Sequence, residues 1–331
     1  MSRKTKAFAP MTPEALERRE VPTRLGDFLA FGAFNKLIYH DKKPVLPAIG
    51  VLGDSLSDEY KTYAPDRSQA RNWVELLAAK GRVNFGAYSP TSRGEPRNEG
   101  FANNWARSDA TTGDMVAGQL PGLLDAVRKG QVKYVSILIG DNDFGRFLIG
   151  AAQGGKTPEA LAGQLTQVTA TAIGNLDKTV TTLLAANPRV KLSVGTIPDL
   201  AGIPAVVGAA TTPAAKLLVG AVSQAIGVYN NYIRTLALDP RIAVAGIARG
   251  TEQLGGGGTS FAVGNQTIDL STTGDDYHHF ILADGVHPGT VGQALIANQV
   301  VGALDTKFGA GIKYLSGAET LSLAKSARLL R

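Results

Sequence analysis

Cysteine is missing altogether from the 331 residues, which excludes disulfides, structural zinc–thiolate sites and a thiol nucleophile. Histidine is scarce. His40, His278, His279 and His287 are the only four, so a reaction that needs an imidazole base has few places to find one. No long apolar run interrupts the chain. The longest weakly polar stretch, Leu200 to Ala215, is cut by Pro204 and Pro213 and is short for a bilayer crossing, so no membrane span is expected. The opening MSRKTKAFAPMTPEALERRE has the basic start of a secretory signal without the apolar stretch that must follow. As written the chain reads as cytoplasmic, or as extracytoplasmic if a signal peptide has been removed from the sequence. The glycine run 255–258 has neither the Lys-Ser/Thr of a phosphate loop nor a dinucleotide fingerprint, and reads as a hinge.

Charge is likewise undramatic. The net +6 is spread along the chain, with modest clusters at Arg3/Lys4/Lys6 and Lys325/Arg328/Arg331. Such runs usually form solvated faces, and no nucleic-acid partner is expected. A hydrophobic fraction of 44% with 39 glycines suits a well-filled core joined by tight turns.

Five short apolar runs, AIGVLGDS, RVNFG, KYVSILIGDND, VKLSVGTIPD and RIAVAGIAR, alternate with longer helical patterns. Runs apolar on both faces and separated by helices predict a parallel sheet covered on both sides. The expected fold is therefore a three-layer α/β/α domain of about five parallel strands, over residues 46–331. RNWVELLAAKG has Gly81 as its stop, and TPEALAGQLTQVTATAIGNLDKTVTTLLAANP has Pro158 at its start and Pro188 past its end. Residues 1–45, with a Thr12-Pro13-Glu14 helix start, are expected to pack on that domain as a helical extension. Alternation on either side of Gly264-Asn265 predicts a small hairpin insertion.

In an open parallel sheet, ligands bind beyond the carboxyl ends of the strands. Ser55 follows the first strand, Asn142 and Asp143 the third, and Thr196 to Asp199 the fourth. A serine nucleophile also needs a base. His287, in DGVHPGTVGQALIANQV, lies three residues after Asp284, whose carboxylate can curl back to hold the ring and stabilise the imidazolium. The developing negative charge needs donors, and the Asn142 amide and the Ser55 backbone N–H are candidates. Asp54 reads as shaping the turn, Asp143 as holding the loop that carries Asn142, and Asp141 as a surface or rim residue.

The blocks GDSLSD, IGDNDF and DGVHP, in this order, resemble those of the GDSL or SGNH hydrolase family, and the match runs from Ser55 to His287. The resemblance implies a flavodoxin-like α/β/α fold, Ser55 as nucleophile, His287 as base, Asp284 as its orienting partner and Asn142 as an oxyanion donor. It implies no metal and no organic cofactor. The remaining family block usually supplies a glycine N–H to the oxyanion hole. NWARSDATTGDM resembles that block, with Asp109 in the glycine's place. Its backbone N–H survives the substitution, and its carboxylate is expected to face solvent or pair with an arginine such as Arg107. Gly86, in VNFGAYS, is the alternative donor.

The expected partner is a small-molecule or carbohydrate ester. The polar segment SPTSRGEPRNEGFANNW suggests a short-acyl ester of a sugar or another polar alcohol, with Trp105 and Tyr88 as stacking platforms or loop anchors. LAGIPAVVGAATTPAAKLLVGAV could instead line a groove for a longer acyl chain, as in a lipase or thioesterase. A non-catalytic carbohydrate-binding protein on the same fold is the competing reading, if Asp109 spoils the oxyanion hole. DDYHH, residues 275–279, reads as a pocket wall rather than a metal site, since adjacent histidines on a strand point to opposite faces.

Overall fold

Strand β1 (Ile49–Gly53) is buried along its whole length, as a strand apolar on both faces must be. It opens a computed structural model that describes residues 45–63, 67–90, 99–254 and 258–327. The helical extension expected ahead of this strand and most of the glycine hinge lie outside the described residues. After β1 come α1 (Trp73–Ala79), the two-residue strands β2 (Tyr88–Ser89) and β3 (Gly100–Phe101), α2 (Thr112–Asp114), a π-helical turn at Met115–Gln119, and α3 (Leu120–Arg128). Then follow β4 (Tyr134–Leu138), α4 (Asp141–Ala152), α5 (Pro158–Ala186), β5 (Lys191–Gly195), α6 (Pro204–Ala209), α7 (Pro213–Thr235), β6 (Ile242–Ala245) and α8 (Ile247–Leu254). The remaining elements are β7 (Ser260–Val263), β8 (Gln266–Thr273), β9 (His279–Ile281), α9 (Thr290–Phe308) and α10 (Gly317–Ala327).

Four strands form the central sheet, all parallel, in the order β1-β4-β5-β6. Helices α1 and α9 pack together on one face, with α9 against β5 and β6, and α3 packs on β1 and against α5 on the other. The three layers follow from the sequence pattern, but the strand count does not. RVNFG contributes only one parallel bridge, Ala48 with Asn84, where the Ile49 N–H donates to Asn84 O at 3.1 Å. Beyond that point Gly86 turns the chain away at φ +82°, and residues 103–107 take over the edge of β1. The Val51 N–H donates to Asn103 O (2.9 Å), the Trp105 N–H to Val51 O (2.8 Å) and the Arg107 N–H to Gly53 O (3.0 Å). The fifth edge position is thus shared by two separate stretches of chain.

The hairpin forms where alternation placed it: Val263 pairs with Gln266 across Gly264-Asn265, and β9 adds in parallel to β8. Helix α1 starts in a reciprocal cap, with Asn72 Oδ1 accepting the Glu75 N–H and Glu75 Oε2 accepting the Asn72 N–H. The buried Glu75 also accepts the Tyr60 N–H, tying the loop after β1 to this helix. No helix among the described residues is long and apolar enough to cross a membrane.

Candidate active site

Register decides what meets at the carboxyl edge. Gly53 lies opposite Leu138, so the segments leaving β1 and β4 run side by side and carry Ser55 and residues 141–143 to the same place. The β1 segment turns at once, with the Ser57 and Asp58 N–H groups both donating to Asp54 O at 3.0 Å. Gly53 is required where it stands, because a Cβ would come within 2.4 Å of Leu138 O. The β4 segment turns at Gly140, with φ +130°.

The third contributor is the loop between β9 and α9. Asp284 curls back as its spacing suggests: Oδ1 accepts the Val286 and His287 N–H groups at 2.8 and 2.9 Å, and Oδ2 lies 2.6 Å from His287 Nδ1. His287 Nε2 in turn lies 2.9 Å from Ser55 Oγ. Burial pushes the Asp284 carboxyl up, but the His287 ring and these two backbone donors outweigh it and hold the group below its ordinary range. It is therefore a carboxylate when the imidazole needs one. The Tyr60 ring meets the His287 ring edge to face at 6.1 Å and limits its rotation.

The three expected oxyanion donors differ in what they are bonded to. The Ser55 and Asp109 N–H groups have no acceptor among the described residues. Asn142 Nδ2 gives one hydrogen bond to Ala110 O at 3.0 Å, leaving its second N–H over. Asp109 has a positive φ of 62° and is the sole non-glycine residue to do so among those described, a conformation that glycine adopts at no steric cost. Its side chain is exposed, and its carbonyl accepts from Arg146 Nη2 at 2.6 Å. Arg107 lies instead 3.6 Å from the buried Asp58. The Gly86 N–H is already donated to Asn84 Oδ1 at 2.8 Å, so this alternative donor is engaged elsewhere. Asp109→Gly is expected to raise stability by about 0.5–1 kcal/mol through relief of the left-handed backbone. Thermal unfolding checks this, and no gain would mean that the exposed carboxylate makes a contribution of its own.

Profile comparison decides the family. The GDSL-like Lipase/Acylhydrolase profile matches residues 49–300. The chain belongs to this family. It is an ester-bond hydrolase on an α/β fold. No curated protein sequence matches it. Similar solved structures include phospholipase A1 from Streptomyces albidoflavus NA297, 20% identical, covering 78% of this chain and 99% of that one at a TM-score of 0.48. The Clostridium thermocellum family 3 carbohydrate esterase is 15% identical, covering 81% and 100% at a TM-score of 0.43.

Around this GDSL hydrolase site, several residues take places that the sequence does not announce. Asp141 is not a rim residue: although partly exposed as a whole, both its carboxylate oxygens are buried without a hydrogen-bond partner. Asp54 is buried beside it, with Oδ1 accepting the Leu56 N–H at 3.0 Å and Oδ2 unpartnered. Burial, with Asp143 nearby, pushes Asp54 up to about 7, and burial with the neighbouring Asp54 pushes Asp141 well up. Asp143 accepts from both the N–H and the hydroxyl of Thr112 at 2.9 and 2.7 Å, joining the first turn of α4, which carries Asn142 in place of the expected loop, to α2. Buried Gln119, in the π-helical turn, accepts the Gly53 N–H at 2.9 Å and donates to Gly53 O at 2.8 Å, clamping the strand end that carries the serine.

Other expectations resolve differently. The Thr196 hydroxyl accepts the Ala248 N–H at 3.0 Å, and Asp199 accepts the Ala201 N–H at 2.9 Å and the Ser223 hydroxyl, so the two tie the end of β5 to α8 and α7. The Nδ1 atoms of His278 and His279 lie 3.3 and 3.1 Å from the same Asp276 oxygen. They converge rather than diverge because His278 precedes the strand. Trp105 packs over Gly122, where a Cβ would come within 2.1 Å of its ring, and is thus a loop anchor. Tyr88 is covered by Lys61 Nζ, 3.6 Å from its ring centre.

Proposed function

We propose that this hydrolase is a serine esterase for short-acyl esters, acetyl above all, of carbohydrates or other polar alcohols. The observation that carries the reading is the continuous chain Ser55 Oγ, His287 Nε2, His287 Nδ1, Asp284 Oδ2, with steps of 2.9 and 2.6 Å. Ser55 Oγ attacks the ester carbonyl while His287 Nε2 takes its proton. The Ser55 and Asp109 N–H groups and Asn142 Nδ2 receive the carbonyl oxygen as it becomes an oxyanion. His287 returns the proton to the leaving alcohol, and water, activated by the same nitrogen, releases the acid from Ser55. Asp284 keeps the ring in the tautomer that presents Nε2 as acceptor.

Polar surroundings favour small acyl groups and a hydrophilic alcohol, since Arg67 borders His287 Nε2 and bonds Ser108. One observation favours the longer-chain alternative. Helix α6 abuts the triad loop through the Ala205 N–H to Gly285 O bond of 3.1 Å, and Val207 and Val286 are 57% and 43% exposed, which provides apolar surface next to His287. Hydrolysis of 4-nitrophenyl esters from acetyl to palmitoyl separates the two. Specificity is expected to fall at least tenfold between acetyl and octanoyl, whereas a rise with chain length would overturn the short-acyl reading in favour of the apolar surface.

A further inference from the structure

Arg67 is the group that the triad and its donors leave unexplained. It is 7% exposed. Its Nη1 lies 3.5 Å from His287 Nε2, and its Nη2 donates to Ser108 Oγ at 2.7 Å. The guanidinium lies 4.1 Å from the Tyr63 ring centre and 5.4 Å from that of Tyr60. No carboxylate among the described residues lies within ion-pair distance of it. The closest in effect is Asp58, on the far side of Ser108, which accepts the Ser108 N–H at 2.7 Å and pairs with Arg107.

A buried guanidinium without a counter-ion is costly, and stacking on two tyrosines offsets only part of the cost. It is costlier still here, because its charge opposes the imidazolium that forms when Ser55 gives up its proton. Both penalties vanish if the substrate brings an anion. Its position says which part of the substrate does so. His287 Nε2 hands its proton to the leaving oxygen as the first tetrahedral intermediate collapses, so that oxygen must sit within about 3 Å of Nε2 at that point. Arg67 Nη1 borders the same nitrogen. A carboxylate, phosphate or sulfate one or two bonds from the leaving oxygen would therefore meet the guanidinium fork.

We infer that Arg67 forms a leaving-group subsite that selects esters whose alcohol portion carries an anionic group close to the scissile bond. This rests on Ser55 and His287 being the ester-cleaving pair. The anion draws the guanidinium off the imidazole, leaving Nε2 to Ser55 alone, so its effect falls on kcat as well as on KM. Ser108 holds the guanidinium in plane from the other side and is a positioning residue.

Acetoxyacetate and acetoxyacetamide test this directly, since they differ in charge and hardly in shape. With each rate normalised to the hydroxide reaction, the wild-type kcat/KM ratio of charged to neutral ester is expected to be about 10- to 100-fold, the worth of a charge-assisted hydrogen-bonded pair. Arg67→Gln is expected to lower that ratio at least tenfold, and Arg67→Lys, which keeps the charge but not the fork, to lower it less. A wild-type ratio near one, or a ratio unmoved in Arg67→Gln, overturns the subsite. Binding is read without turnover by adding acetoxyacetate to Ser55→Ala. A saturable rise in its melting temperature that disappears in Ser55→Ala/Arg67→Gln supports the subsite, and absence of the rise overturns it. Failure of the esterase reading looks different, because wild type then cleaves neither ester, or Ser55→Ala cleaves both as wild type does.

Discussion

Ser55→Ala is expected to lower kcat/KM by at least about 10⁴-fold for every ester the native chain attacks, with His287→Ala close behind. The two residues act on one proton. Once Ser55 is gone, the imidazole has nothing to deprotonate, so the double variant should be scarcely slower than either single one. Residual hydrolysis above water would come from the oxyanion donors and substrate binding. Single-turnover measurements across the ester series, with melting curves to show that each variant folds, check this. Wild-type rates in Ser55→Ala would end the assignment of the nucleophile.

Asp54→Asn is expected to stabilise the protein at pH 8 by up to about 4 kcal/mol, the worth of a shift of about three pKa units, and to stabilise it much less at pH 4. Burial raises Asp54 from an ordinary 3.8 to about 7. Between those values the native state holds a proton that the unfolded chain has lost, so native stability falls as pH rises across this window. Above pH 7 a charged carboxylate stays buried beside Asp141, whose own two oxygens lack partners. An asparagine keeps the Oδ1 acceptor for the Leu56 N–H and adds donors where Asp141 has none. Urea unfolding at the two pH values decides the matter, and equal destabilisation at both would show that the carboxyl has a partner worth more than its burial costs. The wild-type protein should itself lose stability between pH 4 and pH 7 for the same reason.

The strands that the apolar runs predicted are those whose burial is settled locally. β1, β4, β5 and β6 are covered on both faces, so the residues must be apolar whatever lies alongside. RVNFG has the same composition, but whether an edge run pairs along its length depends on which other stretch reaches the edge first, and residues 103–107 come from too far along the chain to be foreseen. At the site, short-range geometry is legible: His287 lies three positions after Asp284, and a hydrogen-bonded turn is what that spacing allows. Asp141 departs from the rim position its sequence suggests, because a carboxylate at a helix start is usually solvated and only the register of β1 with β4 sets it against Asp54. Arg67 lies in the patternless TYAPDRSQ and Gln119 in a π-helical turn, where the side-chain period that would place it on a face is broken.

The shared edge beside β1 has a consequence for chain length. The Asn103 N–H donates to Phe85 O at 2.8 Å and the Ala102 N–H to Ala87 O at 2.9 Å, so the two ends of the segment between them are pinned together. Doubling such an excursion costs only about 0.6 kcal/mol of closure entropy. Neither end touches Ser55. The segment can thus be lengthened or shortened at little cost while the strand that leads to Ser55 stays as it is.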